Sequence, residues 1–293
     1  MTVFQALNEF LIDQQIKRNS PRTIEYYQSS IMIFSDYIKD KSVSSLNIHD
    51  LKSYSLYLMN RPNIKDITVQ SYVRALRVFL NWLYDESYIE TKLTDKYRLP
   101  KVLKPVIDIL TETEIKRLMS CFNLKNTVQL RNYCICLLML DSGLRMNEAI
   151  TLDINKIHLN EGYIIVDGKG NKQRIVPIGL NTRKYLTKYL SQRPQTLNHT
   201  RIFVKDQQTP IKISTVRQFF RRLKKQTSIP RLHPHLLRHT FATRYIESGG
   251  DIYTLQSILG HTTLDMVKKY VHFTPSKTVA KFSDFSIMDN LKK

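Results

Sequence analysis

Residues 163–178 read Tyr-Ile-Ile-Val-Asp-Gly-Lys-Gly-Asn-Lys-Gln-Arg-Ile-Val-Pro-Ile, and this stretch decides the fold class. Two short runs rich in β-branched residues, 163–167 and 172–178, flank a turn sequence at 168–171, which is typical of a β-hairpin. They are the only convincing strands, because most other apolar residues recur at helical spacing. We therefore expect a mainly α protein with a small β-hairpin sheet, an α+β fold.

Upstream of the hairpin, the sequence predicts a separate bundle of four or five helices at residues 1–90. Ser20-Pro21 and Asn47 are typical helix starts, and Asp66 or Thr68 opens a further helix. The helical pattern is lost between Lys92 and Pro105. We therefore expect a helical domain at 1–90, a basic linker at 91–105 and a second domain at 106–293.

The charge of the chain favours a polyanionic partner. The 293 residues include 45 Lys and Arg against 25 Asp and Glu, a net charge of +20. Residues 1–100 hold 13 basic and 11 acidic side chains, whereas residues 101–293 hold 32 and 14. The excess therefore belongs to the second domain, which we expect to make most of the contacts with a nucleic acid.

Several protein classes are excluded by composition. No stretch approaches the roughly 18–20 apolar residues that cross a membrane, and the N-terminus lacks the layout of a signal peptide. The three cysteines cannot form a disulfide framework, and we expect Cys134 and Cys136 to be buried in a reducing compartment. These observations favour a cytoplasmic protein without a membrane segment.

Two patterns in the basic half can bind an anion. Ser142-Gly143-Leu144-Arg145 interrupts two predicted helices and places an arginine beside a helix N-terminus. His235 and Arg238 lie three residues apart on one predicted helix face, where they could combine proton transfer with phosphate binding, whereas His239 is expected to point elsewhere. The alternatives are an Arg145–Glu148 pair that fixes the turn and a capped surface histidine.

A third pattern, Leu259-Gly260-His261, is followed by a helical stretch that ends at Tyr270. On its own, Gly260 is explained as a helix C-cap and Tyr270 as one of 16 tyrosines. The order Arg145, Lys169, His235-x-x-Arg238, His261 and Tyr270, however, resembles the tyrosine recombinase family, which includes phage integrases and Xer-type recombinases. The resemblance covers nearly the whole chain, with a core-type DNA-binding domain followed by a catalytic domain.

This resemblance implies a site-specific DNA recombinase that cuts and rejoins strands through a 3′-phosphotyrosyl intermediate, in integration, excision or dimer resolution. It assigns Tyr270 as the nucleophile and Lys169, on the hairpin turn, as the general acid, with Lys172 as the competing candidate. The remaining implied roles are phosphate binding by Arg145 and Arg238, acid–base chemistry by His235, a hydrogen bond to phosphate from His261, and orientation of the first arginine by Glu148.

The resemblance also implies what the reaction needs. The bond energy is kept in the phosphotyrosine, so neither metal, ATP nor another cofactor is expected. The implied partners are double-stranded DNA sites and a homo-tetramer, or a hetero-tetramer with a related recombinase. The tail after Tyr270 would dock on a neighbouring protomer, although packing in cis is the alternative. The competing functions are a type IB topoisomerase-like relaxing enzyme and a catalytically silent DNA-binding protein.

Overall fold

The computed structural model describes residues 1–39, 41–101, 108–168, 173–195, 199–207 and 209–270. The chain divides into two compact units, Met1–Pro105 and Val106–Lys293. No helix among the described residues has the length and apolar character needed to cross a membrane.

The N-terminal unit is a bundle of four α-helices. They are α1 (Val3–Ile16), α2 (Pro21–Ile38), α3 (Ile48–Met59) and α4 (Asp66–Asp85). The Ser20 and Asn47 side chains accept backbone N–H groups of α2 and α3, which confirms both predicted caps. Of the two starts expected for the fourth helix, the structure has Asp66, and Lys65 precedes it.

The bundle core is apolar and aromatic. The Phe10 ring lies 5.4 Å from that of Phe79 and 5.5 Å from that of Trp82, both at steep angles that favour aromatic contact. The stretch at 91–105 includes a 3-10 turn at Leu93–Asp95 and the buried side chain of Tyr97. Residues beyond 90 therefore contribute to the core of this unit.

The C-terminal unit is mainly helical around a small sheet. Its helices are α5 (Glu112–Ser120), α6 (Thr127–Leu140), α7 (Met146–Ile150), α8 (Leu180–Gln192), α9 (Ile213–Gln226), α10 (Pro234–Glu247), α11 (Ile252–Leu259) and α12 (Asp265–Lys268). The predicted capping box at the start of α5 is confirmed, because Thr111 and Glu114 each accept the other's backbone N–H.

The sheet contains one strand more than the sequence predicts. The hairpin strands β2 (Tyr163–Asp167) and β3 (Gln173–Pro177) pair antiparallel, with Ile164 opposite Val176. A two-residue strand, β1 (Ile157–His158), pairs antiparallel with β2 and makes the order β1-β2-β3. The expectation that the hairpin holds the only strands is therefore wrong, because two residues are too few to show an alternating pattern.

Helix α6 lies at the centre of this unit and packs against α8 and α10. It begins at Thr127, four residues before the predicted apolar segment, because Asn126 provides the cap. Cys134 and Cys136 on α6 are fully buried, as expected, and burial raises the pKa of both thiols. A packed core therefore supports the turn that leads from α6 into α7.

Candidate active site

The turn between α6 and α7 places Arg145 at the edge of the site. Gly143 has a φ of +65°, and a Cβ atom there would lie 2.4 Å from Cδ1 of Phe241. Only glycine satisfies both the left-handed conformation and this close approach. The turn then directs Arg145 to the position before α7, with its side chain 35% exposed.

Glu148 on α7 joins the cationic residues of the site. Its carboxylate accepts the backbone N–H of Arg145 at 2.8 Å, Nη1 of Arg145 at 2.7 Å, and both terminal nitrogens of Arg174 at 3.1 and 2.8 Å. Nη1 of Arg238 lies 3.8 Å away. Burial alone would raise the pKa of Glu148, but the hydrogen bonds and charges of Arg174 and Arg145 lower it overall. The carboxylate therefore stays ionised and holds three guanidinium groups together.

Arg238 on α10 is buried and fixed by main-chain acceptors. Nη1 donates to the carbonyl of Gly143 at 2.7 Å, and Nη2 donates to the carbonyl of Leu259 at 2.7 Å. Burial, followed by the positive charge of Arg145, lowers the pKa of the guanidinium to about 10, so it remains cationic at neutral pH. The Gly143 turn and the end of α11 therefore orient Arg238.

His261 follows α11 directly and is bound to Arg238. Gly260 ends the helix with a φ of +62°, which confirms the predicted C-cap. Nε2 of His261 lies 3.0 Å from Nη2 of Arg238 and accepts from it, because a guanidinium can only donate. Burial and then the charge of Arg238 lower the pKa of His261 to about 4. In this arrangement His261 is neutral and its Nε2 is occupied as an acceptor.

Tyr270 lies just after α12 and is buried among apolar residues. Its ring packs with Ala242, Leu255, Leu259 and Val267, and the residue is 2% exposed. Burial raises the pKa of its hydroxyl, while the charges of Arg238 and Arg145 act in the opposite direction. The Tyr270 phenol is therefore protonated at neutral pH.

His239 is the residue for which the sequence-based expectation of direction is wrong. Its Nδ1 lies 2.8 Å from the Tyr270 hydroxyl oxygen instead of pointing away from the site. Positions 235 and 239 are four apart on α10 and share a face as closely as positions 235 and 238 do. The His235 and His239 ring centres are 6.4 Å apart, and His235 is exposed.

The residues that flank the hairpin turn lie in the same region. Lys169 and Lys172 lie outside the described residues, but Gly168 and Gln173, which flank the turn, line an open depression of about 500 Å³ together with His261. Desolvation and the charge of Arg238 lower the pKa of His235 at the start of α10. The ends of the hairpin strands and the end of α11 therefore line one depression of the unit.

Arg174 is a site residue that sequence reasoning missed. Besides its two bonds to Glu148, its Nε donates to the carbonyl of Ile258 at 2.8 Å. A Cβ atom on Gly260 would lie only 3.0 Å from Cδ of Arg174, so Gly260 also gives this side chain room. The sequence contains one signal for this residue. Side chains alternate between the two faces of β3, and Arg174 is two residues before buried Val176, so both lie on the inward face.

The assembled region can bind an anion and supply a nucleophile. Arg145, Arg174 and Arg238 surround one carboxylate, Glu148, which leaves an excess of positive charge beside the Tyr270 phenol. Among the described residues, no group of three or more His, Cys, Asp or Glu side chains is arranged to hold a metal ion. Guanidinium groups fixed in this way suit the non-bridging oxygens of a phosphodiester.

Family models match both units of the chain. The phage integrase family matches residues 108–277, more than half of the chain, and the N-terminal SAM-like domain of phage integrases matches residues 6–90. Both matched families are integrase domains.

Curated relatives resemble the chain over nearly its full length. Tyrosine recombinase XerD of Halalkalibacterium halodurans is 29% identical over 294 residues, which cover 97% of this chain and 98% of the relative. Tyrosine recombinase XerC of Bacillus subtilis is 28% identical over 268 residues, which cover 88% of each chain.

Solved structures share the fold. The Tn1549 transposon integrase in complex with circular intermediate DNA superposes with a TM-score of 0.80 at 19% identity, covering 96% of this chain and 99% of that one. A lambda integrase dimer bound to a core site gives 0.75 at 18% identity, covering 92% and 95%. The alternative of a topoisomerase-like or silent protein is not favoured by these matches. The chain belongs to the phage integrase family and is a tyrosine-type site-specific recombinase.

Proposed function

We propose that this recombinase cleaves double-stranded DNA by attack of Tyr270 on a phosphodiester held by Arg145 and Arg238. The observation that carries the proposal is the convergence of both arginines on Glu148, with Nη1 atoms 2.7 and 3.8 Å from its carboxylate, where their charges also act on Tyr270. Phosphoryl transfer spreads negative charge over the non-bridging oxygens, and fixed guanidinium groups stabilise that charge.

The reaction requires one bond to form as another breaks. The Tyr270 oxygen forms a bond to phosphorus, and the bond from phosphorus to the 5′ oxygen breaks, leaving a 3′-phosphotyrosine and a strand that needs a proton on its 5′ oxygen. We propose that Lys169 supplies the proton to the 5′ oxygen, that His235 transfers a proton at the phosphate, and that His261 donates a hydrogen bond to it. Glu148 orients Arg145 rather than touching DNA.

The surface of the C-terminal unit supports a DNA partner. Helix α9 exposes a run of cations that form no salt bridge with any described acidic residue: Arg217, Arg221, Arg222, Lys224 and Lys225. Such a helix suits the phosphate backbone of a duplex, whose binding weakens with salt as counterions are released.

The proposed assembly is a tetramer on two recombination sites, built from four copies or from two related recombinases. Support comes from the reaction, because exchanging strands between two duplexes requires four cleavages. The tail beyond Tyr270 includes apolar residues suited to a groove on a neighbouring protomer: Phe282, Phe285, Ile287, Met288 and Leu291.

Covalent capture tests the chemistry and selects the target sequence in the same experiment. The full-length protein is incubated with a pool of nicked duplexes of random sequence in chelator, and complexes that survive detergent are sequenced. We expect adducts on a defined site and a nucleotide-bearing peptide that contains Tyr270. Tyr270→Phe should bind the selected duplex without forming an adduct. An adduct with Tyr270→Phe would assign the nucleophile to another tyrosine.

The same duplex separates the two candidate acids on the hairpin turn. Lys169→Ala should slow cleavage strongly on the normal phosphodiester and far less when sulfur replaces the bridging 5′ oxygen, because a thiolate leaves without a proton. Lys172→Ala is the matched control. If sulfur rescues Lys172→Ala and not Lys169→Ala, the acid is Lys172.

A further inference from the structure

His239 makes the direct contact with the proposed nucleophile. Its Nδ1 lies 2.8 Å from the Tyr270 hydroxyl oxygen, and the two ring centres are 5.6 Å apart. Within the described part of the chain, this is the hydrogen bond that the Tyr270 hydroxyl makes. None of the roles implied by the family resemblance uses this histidine.

The surroundings of Tyr270 create a need for such a contact. The residue is 2% exposed within an apolar cluster, so its hydroxyl proton has little access to bulk water. Burial holds the pKa of the phenol above its ordinary value, and attack on phosphorus requires the oxygen to lose that proton. A basic atom at hydrogen-bond distance provides the route.

His239 is neutral and available as an acceptor at neutral pH. Burial and then the charge of Lys269 lower the pKa of its imidazole to about 4. With the ring hydrogen on Nε2, the lone pair of Nδ1 faces the hydroxyl. The other titratable groups that act on this imidazole are His235, His233 and Arg238.

We propose that His239, rather than His235, takes the proton from the Tyr270 hydroxyl during DNA cleavage and returns it during rejoining. The O–H bond of Tyr270 breaks and an N–H bond forms at Nδ1 of His239. An electron pair of the Tyr270 oxygen forms the bond to phosphorus, and the electrons of the bond from phosphorus to the 5′ oxygen remain on that oxygen. In rejoining, the 5′ hydroxyl gives its proton back to the general acid as its oxygen attacks phosphorus. The bond from phosphorus to the Tyr270 oxygen breaks, and the departing phenolate recovers the proton from the imidazolium. The proposal rests on the proposed function, because it takes Tyr270 as the nucleophile.

DNA binding strengthens this base. An imidazole with a pKa of about 4 is weakly basic, and part of that weakness comes from the positive charges of Lys269 and Arg238. A bound phosphodiester places negative charge against the same cations and reduces their effect on His239. The base therefore becomes effective when a phosphate is present to be attacked.

Two substitutions distinguish a proton acceptor from a packing residue. In His239→Asn the amide lies close to the position of Nδ1 and keeps a hydrogen bond to Tyr270, but it cannot take the proton. His239→Gln provides a second variant of different shape. Both are measured in the full-length protein on the duplex selected by covalent capture, together with DNA affinity and the thermal unfolding profile.

We expect both variants to bind DNA normally and to cleave about 100-fold or more slowly at pH 7, within the usual range for loss of a general base. The defect should shrink as the pH rises towards 10, because hydroxide then removes the phenol proton. Rejoining from a preformed adduct should slow in parallel. His235→Asn is the comparison, and its defect should not depend on pH in this way.

A wild-type cleavage rate in His239→Asn would overturn the proposal and leave His239 as a positioning residue. A defect that is constant from pH 6 to pH 10 would overturn it as well. Neither result affects the assignment of Tyr270. Adducts formed by Tyr270→Phe would instead overturn the proposed nucleophile and this inference together.

Discussion

The two units of the chain bury different kinds of side chain. Among the described residues, the buried polar side chains of the N-terminal unit are uncharged: Gln14, Ser30, Ser35 and Thr94. The C-terminal unit buries Arg131, Glu148 and Arg238. Removing a charge from water costs several kcal/mol, so the second unit contains groups that a fold built for stability alone would avoid. The comparison teaches that, among the described residues, buried charge is confined to the unit that holds the candidate site, whereas the bundle core is ordinary packing.

Buried charge does not have one meaning within the C-terminal unit. Arg131 donates to the carbonyl of Val204 at 2.8 Å and to the side chain of its neighbour Asn132, so its bonds link parts of the fold. Arg238 also donates to carbonyls, but it lies beside a second arginine and a histidine. What marks the site is convergence of cations on Glu148, not burial of a single arginine.

Glu148→Gln should produce the largest effect. The amide keeps the shape but leaves the Arg174, Arg145 and Arg238 charges without a counterion. Breaking a buried ion pair costs about 3–5 kcal/mol, and covalent adducts should also be lost. Trp82, the single tryptophan of the chain, is buried in the bundle, so its fluorescence follows the N-terminal unit while far-UV circular dichroism follows both.

In thermal or denaturant unfolding of Glu148→Gln, circular dichroism should show the C-terminal unit unfolding earlier than in wild type. The transition followed by tryptophan fluorescence should stay where it is in wild type. A parallel shift in tryptophan fluorescence would show that the two units unfold together, which would break the comparison between them.

Gly143→Ala should have an intermediate effect, and Gly162→Ala is its control. Both glycines have positive φ, +65° and +81°, which costs an alanine about 1–2 kcal/mol. At Gly143 the added Cβ also meets Phe241 at 2.4 Å, whereas at Gly162 the nearest atom is Nη1 of Arg183 at 3.5 Å. Overpacking should therefore destabilise Gly143→Ala by about 1–3 kcal/mol more.

Gly143→Ala should also reduce DNA cleavage, because its carbonyl accepts from Arg238. Equal stability and activity of the two alanine variants, measured by denaturant unfolding and adduct yield, would show that the turn adapts.

The smallest effect concerns acid sensitivity of the C-terminal unit. Hydrogen bonds from Arg231, followed by the backbone N–H of Thr111, lower the pKa of Glu114 to about 2. A lowered pKa in the folded state stabilises the fold above the ordinary value of about 4.3, and this stabilisation is lost as the pH falls towards about 2. Glu114→Gln should therefore lower the melting temperature at pH 7 and converge with wild type near the acid end of that range.

Glu112→Gln is the control for Glu114→Gln, because it removes an acid from the same helical turn but an exposed one, paired with Lys116. Glu112→Gln should change the melting temperature at acid pH little, since exposed ion pairs contribute little to stability. If both variants reduce the fall of the melting temperature at acid pH equally, the effect belongs to the helix terminus rather than to the pair with Arg231.

Local chemistry makes much of the fold predictable from sequence. Three helix starts are predictable from residues whose side chains accept backbone N–H groups: Ser20, Asn47 and Thr111. The spacing of apolar residues then indicates the helices that follow. Strand β1 escapes prediction because two residues show no period. The start of α6 is predicted too late because the cap at Asn126 precedes the apolar run.

The site is predictable only where its residues form short patterns. His235 and Arg238 pair in the sequence because they are three apart, but the equally valid spacing of four to His239 receives no weight there. Arg174 is one of 45 basic residues, and its partner Glu148 is 26 positions away, so only the folded chain brings them together. Ion pairs between distant residues leave no periodic trace in a sequence.

The anchoring of Arg238 has a consequence for the thermodynamics of DNA binding. Its guanidinium is held by two backbone carbonyls before any phosphate arrives. A free arginine side chain carries about 2 kcal/mol of rotamer entropy, and here that entropy is lost when the protein folds. The side-chain entropy lost when DNA binds therefore comes mainly from Arg145, whose side chain is 35% exposed. One of the two proposed phosphate ligands is preorganised, which favours affinity without any additional contact.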